Sequence, residues 1–168
     1  MLNFTFFSFK LHGATYYSVS NGNWTGSIWN SSTTTGTGSP LPTLVDGDEI
    51  IIDDQVTISS GTINISANIK IFIRTTSTSN PAKLIFVTGG KLVLSNSSST
   101  IKLENTTGNA SFNPQIDGSG SGSSNQITIG SNEVWRASNG DIQGIGTLTT
   151  NSNNGVLPVE LLFFKIDE

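Results

Sequence analysis

From Asp46 onward the chain is a succession of short segments in which every second side chain is apolar: "DEIIID", "QVTIS", "TINIS", "IKIFIR", "KLIFV", "KLVLS", "TIKLE" and later "QITIG". Gly, Asn, Ser or Asp separates each from the next. A two-residue period turns one face of a strand into a core and the other into solvent. No window keeps a 3.6-residue period over three turns, so the pattern predicts an all-β chain with no helix beyond a stray turn.

Many short strands build either a sandwich or a solenoid. A shift of 21 residues lays Ile50 and Ile52 on Ile71 and Ile73, then on Leu92 and Leu94. The same shift lays Ile63 and Ile65 on Leu84 and Phe86, and the register fades beyond Leu103. Inward pairs recurring at fixed spacing are what stacked coils produce, because each coil buries its face on the next. The expected fold is therefore a right-handed parallel β-helix, or β-solenoid, with a β-sandwich as the alternative. Asn and Ser in the turns suit side-chain ladders between coils.

Composition agrees. Hydrophobic residues make up 35% and charged residues 12%, below the roughly 45–50% and 25% of ordinary globular chains. Disorder usually brings high net charge and few β-branched residues, whereas this chain carries a net charge of only -4 and is rich in Ile, Val and Thr. With eight Lys and Arg and a pI near 4.8, it lacks the clustered basic face that nucleic acid requires. The absence of Cys removes a disulfide framework and a thiolate metal site. No apolar run approaches the ~20 residues of a membrane span. At 168 residues one domain with a real core is expected. It divides into an apolar N-terminal strand or signal remnant (1–13), a solenoid-like domain (14–155) and an apolar C-terminal strand (156–168). Within the domain, "FNPQIDGSGSGSSNQ" reads as an exposed loop.

Candidate chemistry is sparse. "VDGDEIIIDD" gathers Asp46, Asp48, Glu49, Asp53 and Asp54. Asp46, Asp48 and Glu49 could supply some of the six to eight oxygens that Ca²⁺ takes, the one cofactor the sequence suggests. The competing reading makes Asp46-Gly47-Asp48 a tight turn into a strand and Asp53-Asp54 the turn out of it. Glycoside hydrolysis needs two carboxylates across a cleft, and nothing in the sequence pairs His12, Arg74 or Arg136 convincingly with Asp53, Asp54 or Asp117. Tyr17, Trp24 and Trp29 are the candidate sugar-stacking aromatics, with Tyr16 and Trp135 as further members. The structural alternative has Trp24 and Trp29 capping the open end of a solenoid core.

Two stretches resemble a known group. "ATYYSVSNGNWTGSIWNSS" followed by "DGDEIIIDDQVTIS" resembles the opening of a β-helical module of secreted and surface proteins of the Bacteroidota. "LPVELLFFKIDE" resembles the apolar junction that precedes their type IX secretion sorting domain, although no sorting domain follows Glu168. The resemblance implies an exported, cell-surface or extracellular protein and supplies no catalytic residues.

The terminal segments carry the remaining expectation. In "VLPVELLFFKI", Val159, Leu161 and Phe163 alternate with Leu162, Phe164 and Ile166, so both faces of a strand are apolar and both want cover. Phe4, Phe6, Phe7 and Phe9 make the other terminus similarly greasy. Such strands are association sites. The expected function is thus a non-enzymatic extracellular structural or adhesive protein, a filament subunit joined through these strands, with itself or extracellular polymers as partner. A carbohydrate-binding module and a polysaccharide-active enzyme are the alternatives.

Overall fold

The computed structural model describes residues 13–118 and 124–153. The assembly candidates Phe4, Phe6, Phe7, Phe9, Val159, Leu161, Leu162, Phe163, Phe164 and Ile166, together with His12, lie outside the described residues.

The described chain opens with β1 (Thr15–Ser18), β2 (Gly22–Asn23) and β3 (Trp29–Asn30). The alternating segments then wind three coils of three strands each. The first is β4 (Glu49–Ile52), β5 (Gln55–Ile58) and β6 (Gly61–Ile65); the second is β7 (Lys70–Thr75), β8 (Lys83–Phe86) and β9 (Gly90–Leu94). The third is β10 (Thr100–Asn105), β11 (Gln115–Asp117) and β12 (Gln126–Ile129). Like strands pair in parallel from coil to coil. β4, β7 and β10 share the first face, β5, β8 and β11 the second, and β6, β9 and β12 the third. The chain is a β-solenoid of about three turns, as the alternation predicts. Helix is confined to two single 3₁₀ turns, Ala110–Phe112 and Ala137–Asn139, among the described residues.

Each inward side chain sits on its counterpart in the next coil. Ile50, Ile71 and Ile101 form one column, and Val56, Leu84 and Ile116 a second. All six are fully buried. Each such burial stabilises by roughly 1.5–3 kcal/mol, so the columns hold a chain poor in apolar residues.

The spacing behind this stacking needs correction. Ile50 does lie on Ile71 and Ile52 on Ile73. Leu92 and Leu94, however, sit on Ile63 and Ile65, not on Ile71 and Ile73. Likewise Leu84 and Phe86 sit on Val56 and Ile58, not on Ile63 and Ile65. The repeat is a three-strand coil whose corners lengthen. Only residues 53–54 separate β4 from β5, whereas 76–82 separate β7 from β8 and 106–114 separate β10 from β11. Extra corner residues leave the strands in register, so a constant offset in sequence follows only the first-to-second coil step of one face. Nor do the turns form ladders of like side chains throughout; several bond to backbone instead, as when the Asp46 carboxylate accepts from Asn68 N–H at 2.7 Å.

Each end of the core is plugged from within by tryptophan. After β12 the chain turns at Gly130 (φ +62°) into β13 (Asn132–Arg136), then forms β14 (Ile142–Gln143) and β15 (Gly146–Leu148). These lie antiparallel on β12, β11 and β10 in turn, so one coil is wound backwards over the last forward one. It seats Trp135 in the core, 5.0 Å from the Phe86 ring, with its indole N–H donated to Gly140 O at 2.9 Å. At the other end β1 and β2 pair in parallel with β4 and β5, and β3 returns antiparallel on β1. Trp24 and Trp29 meet edge to face at 5.2 Å, and Trp29 Nε1–H donates to Trp24 O at 2.8 Å.

Candidate functional site

The acidic turn is built around Asp48. Gly47 takes φ +91°, and Gly13 lies so close that a Cβ there would fall 2.0 Å from the Gly47 carbonyl. Asp48, only 1% exposed, accepts from Ala14 N–H at 2.7 Å and Val45 N–H at 2.9 Å. Asp46 accepts from Asn68 N–H, and Glu49 pairs with Lys70 at 3.3 Å. The three proposed calcium ligands therefore each face a protein donor, and no group of three or more potential ligands gathers among the described residues. Burial and the nearby Asp48 charge push the Tyr16 phenol above its ordinary range.

Asp53 and Asp54 leave β4 at the next corner, where both backbone N–H groups donate to the buried Ser18 hydroxyl at 3.0 and 3.2 Å. Arg74 grips Asp53 in a bidentate pair, Nε and Nη2 each at 2.9 Å. The hydrogen bond to Asp53 raises the guanidinium's already high pKa, against the opposing effect of burial. Asp53, Asp54 and Arg74 line an open polar cleft of about 480 Å³ with Thr34, Thr76 and Asn80. Asp117 is elsewhere, on the second face, with Lys83 at 3.8 Å. Arg136 is likewise apart, bound to Glu133 at 2.8 Å, a bond that lowers the Glu133 pKa. The cleft thus brings together Asp53, Asp54 and Arg74, but Asp53 is held as Arg74's counter-ion and Asp117 does not join them.

The candidate aromatics divide. Trp24 and Trp29 are 5% and 1% exposed, with their rings in the core cluster, so neither offers a face to a sugar. Trp135 is fully buried. Tyr17 is different: it lies in register with Ile51, which lies in register with Phe72. Since Ile50 and Ile52 are fully buried, alternation puts the Tyr17–Ile51–Phe72 row on the outer side of the first face, where Ile51 is itself buried and Tyr17 and Phe72 are half-buried.

A feature the sequence reading passed over lies on the third face. β6 is its edge strand, because β2 and β3 supply no partner there. Gly61 N–H donates to Gly89 O at 3.3 Å, and Ile65 O accepts from Ser95 N–H at 2.8 Å. Alternation along a parallel ladder then aims the N–H and C=O groups of Thr62 and Asn64 away from β9. Among the described residues no hydrogen bond reaches those groups. Beside them runs a groove of about 440 Å³ walled by Pro40–Leu44 and floored by Trp24, Ile63 and Ile65. None of its lining residues is charged. The five-residue edge at the opposite end, β13, carries the Glu133–Arg136 pair instead. The signal for β6 was present in "TINIS", a strand segment with no charge, no Pro and three β-branched residues, but pairing partners cannot be read from one segment.

No helix of the described residues is long and apolar enough to cross a membrane. The arrangement defines a β-solenoid whose chief unfilled feature is an uncharged strand edge. Comparison of the chain with family models, curated proteins and solved structures finds no match.

Proposed function

We propose that this chain is a non-enzymatic structural or adhesive β-solenoid, exported to the cell surface or beyond, that assembles into filaments through its apolar terminal strands. Its partner is itself or an extracellular polymer. The observation that carries this reading is the β6 edge. Both ends of the core are plugged with tryptophan, while one five-residue strand, paired with β9 on one side, leaves its other edge uncharged and without a partner strand among the described residues. Soluble proteins blunt such edges with charge, proline or bulges because bare ones recruit other strands. A head-to-tail joint that does not close yields a filament. Export is supported by the resemblance of the two sequence stretches to secreted β-helical proteins.

The test is multi-angle light scattering of the full chain across a concentration series, beside a chain lacking Val156 to Glu168. Mass should grow with concentration in the full chain and stay monomeric in the shortened one, whose circular dichroism should be unchanged. Equal masses for both would sink the proposal.

The Tyr17–Ile51–Phe72 row favours a second reading, a carbohydrate-binding face, since it places two aromatic residues beside the Asp53–Arg74 cleft. Retention on insoluble polysaccharide that disappears in Tyr17→Ala and Phe72→Ala would support it; retention equal in all three would discard it.

A further inference from the structure

We infer that the groove along β6 is the acceptor for the C-terminal segment Val156–Ile166 of a second copy, which adds a strand to the third face at Thr62 and Asn64. The inference rests on the assembly reading above and names its joint.

The edge offers what an incoming strand needs. Thr62 and Asn64 present outward backbone groups. Among the described residues the opposite wall makes no backbone hydrogen bond to them, and two of its five residues, Pro40 and Pro42, have no N–H to donate. Ile63 points inward in register with Leu92 and Ile127, yet those two are fully buried while Ile63 is only partly so. One layer of cover is therefore missing at this end of the column, and Leu41 and Leu44 are only partly buried beside it.

The segment matches in chemistry and in place. Its run Leu161–Phe164 is uncharged, with Glu160 and Lys165 at its flanks, and the groove lining is uncharged too. Both faces of a strand over Val159–Ile166 are apolar and need burial. The described chain reaches Asn153 at the far end of the third face. There Asn132 Nδ2 donates to Thr150 O at 2.7 Å and Thr150 Oγ1 donates to Ile129 O at 3.3 Å, beside the turn between β12 and β13. β6 lies at the other end of that same face. A segment leaving one end and an acceptor waiting at the other is a head-to-tail geometry, which repeats without closing when the two belong to different copies.

The chain has no cysteine, so a disulfide reports the joint cleanly. Full-length Asn64→Cys and Leu162→Cys are mixed and oxidised, and the chain carrying both substitutions is oxidised at high dilution. A mixed disulfide between the single variants is expected. Closure within one chain in the dilute double variant, with no mixed disulfide, would overturn the inference in favour of a segment folded onto its own edge. As a second arm, Thr62→Lys keeps the backbone and places charge in the edge; it should raise the half-assembly concentration about tenfold. Polymers that form undiminished in Thr62→Lys and yield no mixed disulfide would overturn this joint while leaving the assembly reading standing. A wild-type chain that never polymerises removes both.

Discussion

Ser18, Asp48, Thr75 and Ser99 are buried, and each answers a backbone amide where the chain turns a corner. Thr75 Oγ1 accepts from Ala82 N–H at 2.9 Å, and Ser99 Oγ accepts from Ile69 N–H at 3.2 Å. Orphaned buried amides are costly, so these side chains explain how a chain with so few apolar residues keeps tight corners. Asp48 is the most exacting case, because one carboxylate serves two amides from distant parts of the chain. Asp48→Ala should destabilise by roughly 2–4 kcal/mol in chemical denaturation, the cost of stranding both donors. Tyr16 predicts a pH effect. Its phenol is held neutral above the ordinary value of 10.0, so its contribution is complete below that value and is lost as pH rises through the folded-state pKa. The melting temperature of the wild type should therefore fall more steeply on the alkaline side than that of Tyr16→Phe, with little difference at neutral pH; parallel curves would refute the assignment.

At the scale of elements, most strands between Glu49 and Ile129 were legible because alternation is a local property; β11 (Gln115–Asp117) was not, since it lies inside the stretch read as an exposed loop, yet buries Ile116. Ile50, Val56, Leu84 and Ile127 each declare an inward face within five residues of sequence. The pairing was legible for β4 and β7 alone, where the offset of 21 residues holds. Corners such as 106–114 add length without disturbing a strand, and no periodicity records them. The reversed coil was missed for a related reason. In "EVWRASNGDIQGIGTL" the strands are short and joined by a 3₁₀ turn at Ala137–Asn139, so no alternation survives to announce them. That coil nonetheless carries much of the closure. Trp135→Ala should cost about 3–5 kcal/mol, whereas Ile145→Ser, at a side chain 62% exposed, should stay within about 0.5 kcal/mol. Urea midpoints of the two variants check both figures together.

For the whole molecule, the candidate site was only partly visible in the sequence. The tryptophans were legible as residues that either cap a core or meet a sugar, and burial places Trp24 and Trp29 in the core. The acidic cluster was legible as a turn, with Asp48 at its centre. The β6 edge was not, since an edge exists only by reference to strands that stop short of it. What emerges is a solenoid with a tryptophan plug at each end of its core and one strand edge, that of β6, left uncovered at the first coil. The most direct measurement is negative-stain electron microscopy of the full chain at neutral pH. Fibres with a regular longitudinal repeat are predicted; a field of discrete particles the size of one solenoid, at concentrations well above the micromolar range, would contradict the assembly on which the account turns.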